Sequence, residues 1–321
     1  MTLETEAVLD RRRLRRKLSL WRTLAVVAGV LALGFLLFSS ADRAGLLGAG
    51  QIARVSIEGV ITEDRDFLRL LKKIGETKHV AGVILAINSP GGTTAGGEAL
   101  FTAIRNLSKS KPVVAQFGTV ATSAAYIAGL ASDRIVARGN TITGSVGVIF
   151  QWPDVSQLLE KLGIKVNEIK SGPLKANPSP FQPLDEAGKA ATEEMVADSQ
   201  RWFVGLVRER RGIDTKSVGG LEQGRVFSGR DALANKLVDE IGGEDEARKY
   251  LEDQRNVPQG LKIVDWKASR DSDWSLVRLS MLALARLTGF SALEEVAMLS
   301  NDRLAAMRLD GLLSIWHGSE R

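Results

Sequence analysis

The 321-residue chain has no cysteine and only two histidines, His79 and His317. The first absence removes disulfides, thiolate nucleophiles and Cys-ligated metals. The second disfavours a multi-histidine metal site, because the two histidines stand far apart in sequence, and a Ser-His-Asp triad, because His79 stands at the entrance of a strand and His317 in the C-terminal tail. No cofactor or metal is expected. Aromatic residues make up only 6% and prolines number eight. Long disordered tracts are not indicated either, since 44% of the residues are hydrophobic and 25% charged. That composition suits one large or two small domains with ample core.

The net charge of +5 is unevenly placed. "DRRRLRRKLSLWR" (10–22) holds seven basic residues and is followed at 23–38 by "TLAVVAGVLALGFLLF", which has no charge. As a helix, 16 residues span roughly 24 Å, and Trp21 and Ser39–Ser40 extend the run toward a hydrocarbon core of about 30 Å. Basic residues ahead of an apolar span hold that end in the cytoplasm. The expected layout is a basic cytoplasmic arm at 1–22, a transmembrane anchor at 23–40, a Gly/Ala-rich linker at 41–50, a folded domain at 51–270 and a helical C-terminal extension at 271–321. The folded domain would then lie on the extracytoplasmic (periplasmic) side of the inner membrane, and the basic run would face lipid rather than nucleic acid. Cleavage after Ser39-Ser40-Ala41, as in a signal peptide, is the rival for the N-terminal segment.

Downstream the pattern alternates. "IARVSIEGVI" (52–61), "VAGVILAIN" (80–88), "PVVAQF" (112–117), "DRIVA" (133–137), "VGVIF" (146–150) and "LKIVDW" (261–266) suit strands, most of them continuously apolar. Phe67, Leu70, Leu71 and Ile74 recur at helical spacing in 63–76, and 96–109 reads as a second helix. A long helix is expected over 185–211, with Asp185 as N-cap and Gly212 as stop. Segment 227–243 reads as turn, helix, turn. Apolar strands alternating with helices indicate a sheet covered on both faces, hence an α/β fold.

Two segments carry candidate chemistry. In "INSPGGTTAGGEAL" (87–100), Ser-Pro-Gly-Gly reads as a tight turn from strand into helix. Gly91 and Gly92 there would let bare N–H groups meet developing negative charge, although an ordinary turn would look the same. In "GTVATSAAYIAGL" (118–130), a Gly-led turn precedes Ser123, which is surrounded by small residues. That suits either tight helix packing or close approach of a substrate to the hydroxyl. A serine nucleophile needs a base, and lysine is the common base left. Lys175 lies in the Pro/Gly-dense loop 169–183. To act, its pKa must fall from about 10.4 to about 7–8, a bias of roughly 3–5 kcal/mol. Lys170 competes with it, and Ser145 in "TITGSVGVIF" is placed to orient a lysine amine. From the residues alone, a Ser-Lys pair is one hypothesis among several.

Taken in order, "INSPGG", "TSAAYIAGLASDRIVA", "TGSVGVIF", "IKSGPLKANPSP" and "FSGRDALANKLVDEIGG" resemble the signal peptide peptidase A family, of the protease IV type, over about residues 50 to 265. The resemblance implies a Clp protease/crotonase-like fold of stacked ββα units and a serine endopeptidase. Ser123 would be its nucleophile, Lys175 its general base and Ser145 the residue that orients the lysine. The oxyanion hole would draw on Gly91, Gly92 and Ala124. It also implies signal peptides and other apolar membrane peptides as substrates, and a homo-oligomer whose active sites form where protomers meet. The chain departs from the family pattern at Ala124-Ala125 and at Lys236, positions where glycine is common. A catalytically inert oligomeric envelope scaffold and a crotonase-like acyl-CoA enzyme are the alternatives on the same fold.

Overall fold

A computed structural model of the chain describes residues 50–268, together with Arg22 and the backbone of Leu313–Ile315. The apolar span at 23–40 and nearly all of the tail from 271 lie outside the described residues. Among the described residues no helix is long and apolar enough to cross a membrane.

The first half of the fold is a strict alternation. Strands β1 (Gln51–Ile61), β2 (Val80–Thr93) and β3 (Val113–Thr122) are joined by helices α1 (Arg65–Glu76) and α2 (Thr94–Ser108). Helix α3 (Ala124–Leu130) leads to β4 (Arg134–Ala137), followed by β5 (Ile142–Gly144), α4 (Ser156–Lys161) and α5 (Glu186–Arg211). The chain then adds β6 (Val226–Ser228), α6 (Gly229–Ala234), β7 (Glu240–Ile241), α7 (Glu244–Gln254), β8 (Lys262–Asp265) and β9 (Leu313–Ile315). The main sheet runs β6-β5-β3-β2-β1-β8; β4 pairs with β3 and β7, and β9 pairs with β2. All pairings are parallel except β5–β6 and β2–β9. The α/β expectation therefore holds, with a mostly parallel sheet.

The continuous apolar strands are explained by two cores. Ala53, Val55, Val83, Leu85, Val113 and Ala115 face one of them, together with α1, α2, α3 and α5. Their neighbours Ile52, Ile84, Val114 and Val136 face the other, against Ala247, Tyr250 and Leu251 of α7. Both side-chain sets of each strand are buried, as a sheet covered on two sides requires. Helix α5 begins and ends where the sequence indicates. The Asp185 carboxylate accepts from Gly188 N–H at 2.6 Å, and Gly212 closes the helix in the left-handed region at φ 62°.

Four sequence expectations fail locally. Ser89-Pro90-Gly91-Gly92 is not a turn: β2 runs through it to Thr93, which caps α2 by accepting from Gly96 N–H. Proline is tolerated because the β1–β2 register shifts there, between Glu58 and Val60, so the missing N–H falls at a bulge. Gly118 does not open a turn but lies inside β3, where the β2–β3 pairing lapses between Ile87 and Ser89. Asn88 Oδ1 covers that gap by accepting from Thr119 and Val120 N–H, at 3.1 and 3.2 Å. The strand expected at 146–150 is instead β5, because the chain leaves the sheet at Gly144 and Ser145, both at positive φ. Finally, Leu313–Ile315 is a strand, which overturns the helical expectation for that part of the tail.

Lys236 sits just after α6 at φ 60°, which explains why glycine suits the position. Its side chain is exposed. Lys236→Gly should therefore stabilise the domain by about 0.5–1 kcal/mol, raising Tm by roughly 1–4 °C. An unchanged or lower Tm in thermal unfolding would show that the backbone strain is absent.

Candidate active site

Parallel pairing places two serines side by side. Val120, Ala121 and Thr122 of β3 pair with Ile142, Thr143 and Gly144 of β5, so the next residues are Ser123 and Ser145. Both leave their strands at positive φ, 58° and 53°. Ser123 N–H donates to Gly144 O at 2.9 Å, and Ser145 N–H donates to Arg225 O at 2.9 Å. Ser123 also has ψ −120°, outside every region that an L-residue occupies comfortably. Such a conformation costs on the order of 1–3 kcal/mol and persists only where the surroundings impose it. Here they do: β3 is paired up to Thr122, and Ile127 N–H of α3 donates to Ser123 O at 3.0 Å. The hydroxyl is thus fixed at the C-terminal end of a central strand, at the mouth of a helix. Ser123 is 1% exposed and Ser145 is 8% exposed.

The small residues after Ser123 have a packing explanation. All seven residues of α3 are buried. A Cβ on Gly97 of α2 would come within 3.2 Å of the Ala124 Cβ, and one on Gly129 would overlap the Phe117 ring at 2.4 Å. Close approach of α3 to α2 and to the sheet therefore demands Ala and Gly here, whatever else Ser123 does. Tyr126 anchors the helix with its hydroxyl donating to Leu237 O at 2.8 Å. Burial pushes this phenol well above its ordinary range, so it stays protonated and is no candidate base.

Beside Ser123 lies the end of β2. Ser89 pairs with Ala121, and Thr122 Oγ1 donates to Pro90 O at 3.0 Å, which holds the Pro-Gly-Gly segment against the strand that ends in Ser123. Gly91 has φ 110°, and a Cβ on Gly92 would sit 1.9 Å from Ile61 O, so only glycine fits that approach. Ser89, fully buried, donates to Gly59 O at 2.6 Å and accepts from Gly91 N–H at 3.1 Å. The Gly91 amide is thus already engaged within the chain. Ser89, Asn88 and Thr122 were not singled out by sequence reasoning, although Asn88 and Ser89 lie in the quoted "INSPGG". Their role is to hold backbone, and single-sequence patterns carry no mark of it.

The lysines are placed differently. Residues 162–185 contain neither helix nor strand. Lys170 is paired to Glu168 at 2.6 Å, with both side chains about a fifth exposed. Lys175 is exposed. The structure thus brings Ser123, Ser145, Gly91, Gly92 and Ala124 into one neighbourhood and leaves Lys175 on a surface segment.

The sequence profile described as peptidase family S49 matches residues 105–258, a range that contains Ser123, Ser145 and Lys175. The chain is 33% identical over 233 residues to the Methanocaldococcus jannaschii protein MJ0651, covering 68% of this chain and 75% of that one. It is 33% identical over 231 residues to an Enterococcus faecium protein named after signal peptide peptidase SppA, covering 68% of this chain and 67% of the relative. To Protease 4 of Haemophilus influenzae it is 31% identical over 242 residues, 72% of this chain but 39% of that one.

Proposed function

The chain belongs to peptidase family S49 and is a serine-type protease; from that premise we propose that Ser123 is its nucleophile and Lys175 its general base. The observation that carries the nucleophile is the strained backbone of Ser123 at the end of β3, beside Ser145 and the glycine edge of β2. Strain that packing imposes on one buried hydroxyl is the usual mark of a group held for chemistry.

The Lys175 amine accepts the Ser123 proton as Oγ bonds to the peptide carbonyl carbon. The carbonyl oxygen becomes an oxyanion facing backbone N–H groups. Gly92 and Ala124 supply these, since the Gly91 amide is held by Ser89. Lys175 then returns the proton to the leaving amine; water, deprotonated by the same lysine, attacks the acyl carbon, and the lysine passes that proton to Ser123 Oγ as the ester bond breaks. Ser145 directs the lysine amine toward Ser123. Lys170 is the weaker candidate because its amine is engaged in an ion pair with Glu168.

Lys175 reaches the serine from a neighbouring protomer. One observation supports this: the segment that carries Lys175 is unusually apolar for an exposed one. Leu158, Leu162, Ile164, Val166, Ile169 and Leu174 are all exposed there, a patch that a second copy would cover. The substrates are signal peptides and other apolar membrane peptides, as the name of the Enterococcus relative suggests, and the uncharged run at 23–38 anchors the assembly to the membrane that holds them.

Covalent trapping tests the assignment. Full-length protein incubated with an activated peptide ester and acid-quenched should carry one acyl group, which peptide mapping places on Ser123. An adduct on another residue, or hydrolysis with no adduct on Ser123 under burst conditions, would refute the nucleophile. Absence of both adduct and hydrolysis would favour the inert scaffold.

A further inference from the structure

Just beyond Lys175, the chain is fastened to the first turn of α5. Asn177 Nδ2 donates to Asp185 Oδ1 at 3.0 Å, and the same oxygen accepts from Gly188 N–H and caps the helix. A Cβ on Gly188 would lie 2.3 Å from the Asn177 amide, which therefore occupies the space that a side chain at 188 would need. Gly188 is buried inside a regular helix, where glycine is a poor former, and the close approach of Asn177 accounts for its presence. The Gly188 N–H and then the Asn177 amide hold the Asp185 carboxyl below its ordinary range, so it stays ionised and accepting at neutral pH.

Between this fastening and the lysine stands Ala176, at φ 57°. Alanine is strained in the left-handed region. The turns on either side are closed, with Lys175 N–H donating to Gly172 O at 3.1 Å and Asn177 N–H to Leu174 O at 3.3 Å. Freed from Asp185, Ala176 could return to negative φ and re-aim the lysine. We propose that Asn177, Asp185 and Gly188 form a latch that positions Lys175, with Asn177 the positioning residue. This deepens, and rests on, the assignment of Lys175 as general base. A base held on a loop needs such an anchor, because a misplacement of about 1 Å can cost about a hundredfold in rate.

Two substitutions open the latch from opposite sides. Asn177→Ala removes the donor, and Gly188→Ala puts a methyl group where the amide sits. In full-length protein acting on a fluorogenic apolar peptide, each should lower kcat about tenfold with KM unchanged. Gly188→Ala should hold or raise Tm, since alanine favours helix, and both variants should keep the wild-type particle mass. The double variant should again lose about tenfold, whereas independent effects would multiply to about a hundredfold. Wild-type kcat in either single variant, with Lys175→Ala inactive, would overturn the latch and leave the base assignment standing. A rise in KM at constant kcat, a loss of Tm or particle mass that accompanies the lost turnover, or multiplying effects in the double variant would also overturn it. Wild-type turnover by Lys175→Ala would remove the base assignment, and the latch with it.

Discussion

Ser123→Ala should fold normally and lose about 10⁴-fold or more in kcat/KM against a fluorogenic apolar peptide. Alanine keeps the Cβ and loses only the hydroxyl. The backbone bonds that impose φ 58°, from Ser123 N–H to Gly144 O and from Ile127 N–H to Ser123 O, remain available. Thermal unfolding should therefore match wild type closely, which separates loss of chemistry from loss of fold. Ser123→Gly provides the complementary control. It would be equally inactive but should be the more stable variant, because glycine occupies this backbone region without strain. Equal turnover by wild type and Ser123→Ala would end the case for this residue and leave any measured hydrolysis to another site or to a contaminant.

Lys175→Ala alone should be as inactive as Ser123→Ala, yet the two inactive variants co-expressed should regain roughly a quarter of wild-type turnover, given random assembly through a head-to-tail interface. Each working site then needs the serine of one protomer and the lysine of the next, and about one interface in four has both. The exposed, apolar surroundings of Lys175 are the structural reason to expect this. Co-purified mixed oligomers without turnover would mean that serine and lysine act within one chain, or that a different base serves Ser123. Residual hydrolysis by Lys175→Ala close to wild type would point to the latter.

Much of the scaffold was legible because its strands are apolar on both faces. Runs such as 80–88 and 112–117 have no polar interruption, and the capping pair Asp185 and Gly212 marks a helix at both ends. What escaped was governed by contacts distant in sequence. Gly118 and Pro90 are strong turn formers in isolation, and β2 and β3 nonetheless run through them. Asn88 and the bulge at Gly59 satisfy the backbone that those residues disrupt. β9 was read as helix from its Leu-rich surroundings, since pairing with Gly91–Thr93 leaves no local trace. At the site, the hydroxyls and glycines were found because they are chemically conspicuous. Ser89 was not, because a serine that ties Gly59 O to Gly91 N–H looks like any other serine in a sequence.

The pairing of Thr122 with Gly144 carries one more consequence. Ser123 and Ser145 adjoin because two strands are in register, so the count of residues between them is not what sets their separation. The exposed link at Asn140 between β4 and β5 could be lengthened in a homologue without moving either hydroxyl, whereas α3, buried and bonded to Ser123 O, could not. A slip of a single step between β3 and β5 would move both serines out of alignment at once. Insertions around Asn140, outside the strands, should accordingly be tolerated far better than any change that alters ladder alignment. Searches for distant kin would do better to score the strand match than a fixed interval.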